Sequence, residues 1–172
     1  MDTGFILTPH TIIQTDALIF LLGSLTVSSL SDLKRMAAQT DFAEVWAAFC
    51  AFMFATDIYM GVTGELALTP FIIKWLMIVL FAAATTGTHV INISTMDVAA
   101  LTALLSTLSP AYIIITLVLT LVVNELLRPI LKNYGDAGAY PFLPTVLTVN
   151  FIVLLMIQAG GVETLLGVAA GT

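Results

Sequence analysis

"IIKWLMIVLFAAATTGTHV", Ile72 to Val90, holds a single charge, Lys74, and then runs apolar for ten residues. A helix needs about 20 such residues to cross the roughly 30 Å hydrocarbon layer of a bilayer. The apolar positions are continuous rather than alternating, which argues for helices and against an outer-membrane barrel. The composition of the whole chain agrees. Of 172 residues, 59% are hydrophobic and 9% charged, with a mean hydropathy of +1.07. A soluble domain needs about 25% charged residues to coat its surface. The expected fold is therefore an all-α integral membrane protein.

Working outward, spans are expected at about 11–30, 42–62, 69–90, 111–127 and 142–159. That makes about five transmembrane helices. "GVTGE" (Gly61–Glu65) is a tight connection between the second and third. Before the fourth lies "NISTMDVAALTALLSTLSP", Asn92 to Pro110, whose apolar part, Val98–Leu108, is too short to span. It reads as an interfacial or re-entrant helix capped by Thr95 or Asp97, or as half of one long helix bent at Pro110. Residues 1–92 form a three-helix unit, and 93–172 add two spans and the short helix.

Lys and Arg in short loops set orientation. Lys34 and Arg35 place the first loop in the cytoplasm. With four spans counted before it, the Arg128–Lys132 loop falls on the opposite side, so the two votes conflict. A further crossing within 92–110 would remove the conflict.

Several functions have no support in the residues. The net charge of −6 and five basic residues leave nothing to hold nucleic acid. Cys50, alone, reads as an inert thiol and cannot form a disulfide framework. The amino-terminal "MDTGFILTPH" lacks the positive region of a signal peptide, so the first run is expected to stay as a span. His10 and His89 read as polar anchors, and no ligand spacing suggests a metal. There is no Gly-x-Ser-x-Gly elbow and no phosphate-cradling loop. No cofactor is expected.

Three ionisable residues fall inside spans: Asp16, Asp57 and Lys74. Each costs roughly 2.5 to 3.5 kcal/mol at a helix centre on insertion scales, so each needs a partner or a wet cavity. Their offsets from the span centres predict one level, a triad on three consecutive helices. On the second span, Ala43, Ala47, Cys50, Phe54, Asp57 and Gly61 share a mostly small face, expected at a close helix contact. On the third, Lys74 shares a face with Ile78, Phe81 and Thr85. Either the charges neutralise one another as a structural pair, or they form part of an ion pathway. Asn150 and Gln158 are expected to bond to neighbouring helices, and Glu125 to pair with Arg128 along one helix.

The first loop, "LSDLKRMAAQTDFAEVW", resembles the signature loop of the G subunit of Mrp-type multisubunit sodium/proton antiporters. It is also similar to small membrane subunits of energy-converting membrane-bound hydrogenases. Asp32, Arg35, Met36, Ala37, Ala38, Thr40 and Asp41 follow that pattern. Lys74 and His89 stand where the family's third span opens and closes. Ser31 replaces the family's Pro, and residues after 95 have no counterpart in the short G subunits. The resemblance, covering about 10–92, implies a non-catalytic subunit of the cell membrane. Its partners would be other membrane subunits, with protons or sodium ions as the cargo. A rival resemblance is to membrane aspartyl peptidases of the prepilin and preflagellin type, through Asp32-Leu33-Lys34 and Asp136 in "NYGDAGA". Such a dyad needs its two carboxylates to share a proton. The span count above places them on opposite sides.

Overall fold

The computed structural model describes residues 12–35, 41–64, 66–87, 94–135 and 140–159. Among these the chain is all helix. The elements are α1 (Ile12–Arg35), α2 (Asp41–Thr63), α3 (Leu68–Gly87), α4 (Thr95–Ser106), α5 (Pro110–Leu131) and α6 (Leu143–Gln158). A 3-10 turn, Lys132–Tyr134, follows α5. Four of these helices (α1, α2, α3 and α5) are long and apolar enough to cross a membrane, while α4 and α6 are shorter. Large apolar side chains such as Ile19, Phe52, Leu76, Val79 and Leu121 point outward. That is what a helix bundle presents to lipid, where backbone bonds are satisfied inside each helix.

The sequence supplies the punctuation. Gly64 ends α2 with a positive φ of 82°, a conformation that costs a side-chain-bearing residue more. The Leu66 N–H then donates back to the Met60 carbonyl at 3.0 Å, which closes the turn into α3. Pro110 occupies the first turn of α5, where its missing N–H is harmless. Ser94, one residue before the expected cap, begins α4. Its hydroxyl accepts from the Asp97 N–H while Asp97 accepts from the Ser94 N–H, a capping box.

The short helix is the centre of the molecule. α4 packs against α1, α2, α3 and α6. Ala100, Ala103, Leu104 and Leu105 are fully buried, and so are Thr107 and Leu108 beyond its end. At about 1.5 Å per residue it is roughly 18 Å long and stops partway through the bundle. The cut end is satisfied locally: Ser106 Oγ donates to the Ala103 carbonyl and Thr107 Oγ1 to the Leu104 carbonyl. Residues 107–109 separate α4 from α5, as the reading of a short interfacial or re-entrant helix expects. Non-helical backbone at membrane depth survives only where protein or an internal cavity surrounds it.

α5 then returns to the end from which α4 entered. Asp32, near the end of α1, accepts from the Leu143 N–H at the start of α6. The Asp97 carboxyl at the start of α4 feels the Asp32 charge. Tyr140, just before α6, bonds to Asn124 near the end of α5. The ends of α1 and α5 therefore lie together, at what is called here the upper end. This corrects the sequence-based topology, in which Lys34 and Arg128–Lys132 fell on opposite sides. α4 and α5 act as a descending and a returning arm, so the basic residues cluster at one end and the conflict disappears. α3 and α6 pack against both arms. Residues on either side of position 92 thus share one core.

Candidate functional site

Lys74 Nζ lies 2.6 Å from Asp57 Oδ2, and the two side chains are 4% and 1% exposed. α2 and α3 run antiparallel from the Gly64 turn, which sets Asp57 and Lys74 across from each other. The Trp75 indole N–H donates to the same Oδ2 at 2.9 Å. Phe54 meets the Trp75 ring edge-on at 4.8 Å, and Lys74 Nζ lies 5.4 Å from that ring's centroid. The carboxylate therefore receives two donors, and the ammonium has a carboxylate and an aromatic face.

Above the pair is the cut end of α4. The Cys50 thiol lies against the Ser106 hydroxyl and within reach of the Lys74 charge. The thiol is thus part of the interior wall rather than a lipid-facing group. Lys74, Ile78 and Thr85 are buried along one face of α3, as expected from their spacing. Ser109 at the break, Thr116 on α5 and Thr145 on α6 have buried hydroxyl oxygens without a hydrogen-bond partner among the described residues, as does Asn150 Oδ1 on α6. Buried polar atoms are normally bonded to protein or to ordered water, so such oxygens mark polar interior. Asn150 Nδ2 reaches the Leu18 carbonyl at 3.5 Å, the expected link to a neighbouring helix.

Two expectations about these charges are corrected. The triad does not form. Asp16 is exposed, one turn below Phe20, whose ring stacks on Phe49 of α2 at 5.9 Å. It lies across from the middle of α2, on the outside, while the other two charges are inside. The small face of α2 is only partly the contact face, sharing Asp57 with it. Trp46, Phe49, Met53, Asp57 and Met60 are buried, whereas Ala47, Phe54 and Gly61 are exposed. Because α4 brings the small residues, Ala100 and Ala103, the large ones on α2 fit against it.

The signature-loop residues are helical. Asp32 and Arg35 belong to the last turns of α1, and Asp41 opens α2. Met36 to Thr40, His10, His89 and Asp136 lie outside the described residues. Asp32 is 8% exposed and caps α6, whose own N-cap, Phe142, offers no side-chain bond. A carboxylate there also meets the positive end of the helix dipole. Such caps contribute about 1 kcal/mol. Sequence reasoning missed this role because the two residues are far apart in the chain. Glu125 and Arg128 pair at 3.2 Å on the surface of α5, as expected.

Asp97 lies at the cap of α4, outside the four spanning helices. Its carboxyl is pushed up to about 6, chiefly by burial; the Ser94 bonds oppose this and the nearby Asp32 charge adds to it. A raised acid binds its proton more tightly when folded than unfolded. Its stabilisation is complete below the ordinary value of 3.8 and is lost as pH rises through about 6. The detergent-solubilised protein should be less stable at pH 7 than at pH 4.5 by on the order of 1 kcal/mol for a partly exposed group, and so melt at lower temperature. Asp97→Asn should flatten that part of the profile; an unchanged profile would remove Asp97 as its source.

Among the described residues no group of three His, Cys, Asp or Glu is placed to hold a metal ion. No family model matches this chain, and no curated protein or solved structure matches it either.

Proposed function

We propose that this chain is a non-catalytic subunit of an ion-translocating membrane complex, in which the Lys74–Asp57 pair relays a proton or responds to a cation. The resemblance of residues 10–92 points to a multisubunit cation/proton antiporter or an energy-converting membrane-bound hydrogenase in the cell membrane. The observation that carries the reading is the pair itself, buried beside the cut end of an interior half-helix. Ionisable groups inside a membrane mark ion or proton pathways, and broken helices mark the binding regions of transporters. At 2.6 Å a proton can pass between Nζ and Oδ2 without either group moving. Buried oxygens of Ser109, Thr116, Thr145 and Asn150, without a hydrogen-bond partner among the described residues, give the bundle further polar interior.

Lys74→Arg separates this role from simple neutralisation. Arginine keeps the positive charge and can still pair with Asp57, but it does not deprotonate in proteins. In vesicles from cells carrying the whole complex, cation-driven dissipation of a pH gradient should fall more than about tenfold in Lys74→Arg at unchanged subunit levels. Equal dissipation in the two vesicle preparations would leave the pair a purely structural one.

The peptidase reading gains one observation, since Asp32 and the segment flanking Asp136 lie at the same end. Against it, Asp32 is buried and its oxygen is held by the backbone of α6. Cleavage of a prepilin-like peptide by the purified chain, abolished in Asp32→Ala, would favour it over the relay.

A further inference from the structure

Asp16 is the one intramembrane charge that the interior does not absorb. It is exposed, and among the described residues it makes no hydrogen bond or ion pair. Its depth follows from the α1–α2 packing. Trp46 Nε1 bonds to Ser24 Oγ and Phe20 stacks on Phe49, so one turn further Asp16 lies beside Phe52. Phe52 is midway between Asp41 and Thr63, the ends of α2. At about 1.5 Å per residue each end is roughly 16 Å away. A side chain as short as aspartate cannot reach the interface from there, as Lys or Arg would by snorkelling.

The surroundings form a groove of about 610 Å³. Ala17, Ala48, Phe20, Phe49 and Phe52 are among the residues that line it, and Asp16 is its charged group. Small residues beside large ones admit a close-packed helix. A lone carboxylate at that depth costs roughly 2.5 to 3.5 kcal/mol unless a cation meets it.

Among the described residues the chain places no cation there. Its five Lys and Arg residues are Lys34, Arg35, Lys74, Arg128 and Lys132. Lys74 is buried on Asp57, and the other four belong to the upper ends of α1 and α5. A second copy therefore brings no Lys or Arg to the depth of Asp16.

We propose that the α1–α2 groove receives a transmembrane helix of a different polypeptide, which pairs a lysine or arginine with Asp16. The proposal rests on the subunit reading, in which partners are required, but its test involves no ion flux. The probe is a synthetic alanine/leucine transmembrane peptide with one central lysine, and a control with leucine there. Both carry a donor dye. The full chain, in a Cys50→Ala background, carries an acceptor on a cysteine replacing Val62, which is 81% exposed at the lower end of α2. In phosphatidylcholine vesicles, energy transfer should show the lysine peptide binding more than about tenfold tighter than the control. Asp16→Asn, a surface change that leaves the interior intact, should abolish the difference. Equal binding of both peptides, or a preference that survives in Asp16→Asn, would overturn the proposal. So would energy transfer between two labelled copies, without peptide, that is lost in Asp16→Asn, because the groove would then belong to a second copy.

Discussion

Lys74→Ala should destabilise the protein by about 3 to 5 kcal/mol, the usual cost of removing one member of a buried ion pair. The reason is what stays behind. Asp57 is 1% exposed, and without Lys74 its remaining described donor is the Trp75 indole. Its carboxylate would have to take up a proton or draw water into the bundle. The double variant Lys74→Met/Asp57→Leu should recover most of the loss, since replacing a whole buried pair by apolar residues is often neutral or stabilising. Unfolding of the purified chain in mixed micelles, followed by circular dichroism, measures both. If Lys74→Ala changed stability by less than about 1 kcal/mol, the pair would not be holding α2 to α3. The double variant also divides the two roles: it should fold but, on the relay reading, carry no ions.

The pair was largely legible in the sequence because it is a local feature. Asp57 and Lys74 flank one tight turn, and antiparallel helices leaving it bring the two to matching heights. The long spans were legible for the same reason, with bounds shifted by only a few residues: α2 runs 41–63 against an expected 42–62. What the sequence left open depends on contacts between distant segments. Asp32 looks like a loop residue until α6 arrives, because nothing near it in the chain announces the N–H of Leu143. Asp16 and Asp57 are both aspartates within apolar helices, yet one faces out and one in. Periodicity alone cannot separate them when nearly every neighbouring position is apolar. The α2 contact face was partly misassigned on the rule that small residues mark close packing. The rule holds, but the small residues are on α4. The conflict between Lys34 and Arg128–Lys132 likewise turns on distant contacts, which bring the ends of α1 and α5 to one end of the bundle.

Trp46→Ala should cost about 3 kcal/mol, near the lower end of the range for deleting a buried aromatic. Trp46 is fully buried, with Phe42 tilted against it at 5.7 Å and its indole N–H on Ser24 Oγ at 3.2 Å. Ser24 in turn donates to the Leu21 carbonyl at 3.0 Å, so the indole is fastened to the backbone of α1. In a bilayer the side chain gains little by leaving lipid, because lipid tails are as apolar as the core. The penalty is then mostly the cavity and the lost indole bond, which places it low in the range. Trp46→Phe keeps most of the volume and loses the bond, and should cost about 1 kcal/mol. The two variants also report on α4. With Trp46 gone, the upper half of α2 loses its largest filled contact, and the Ser94–Asp97 cap end of α4 should exchange its amide hydrogens faster than the Leu104–Leu108 end. Uniform protection along α4 in Trp46→Ala would show instead that the half-helix is held from α3 and α6, with α2 incidental to it.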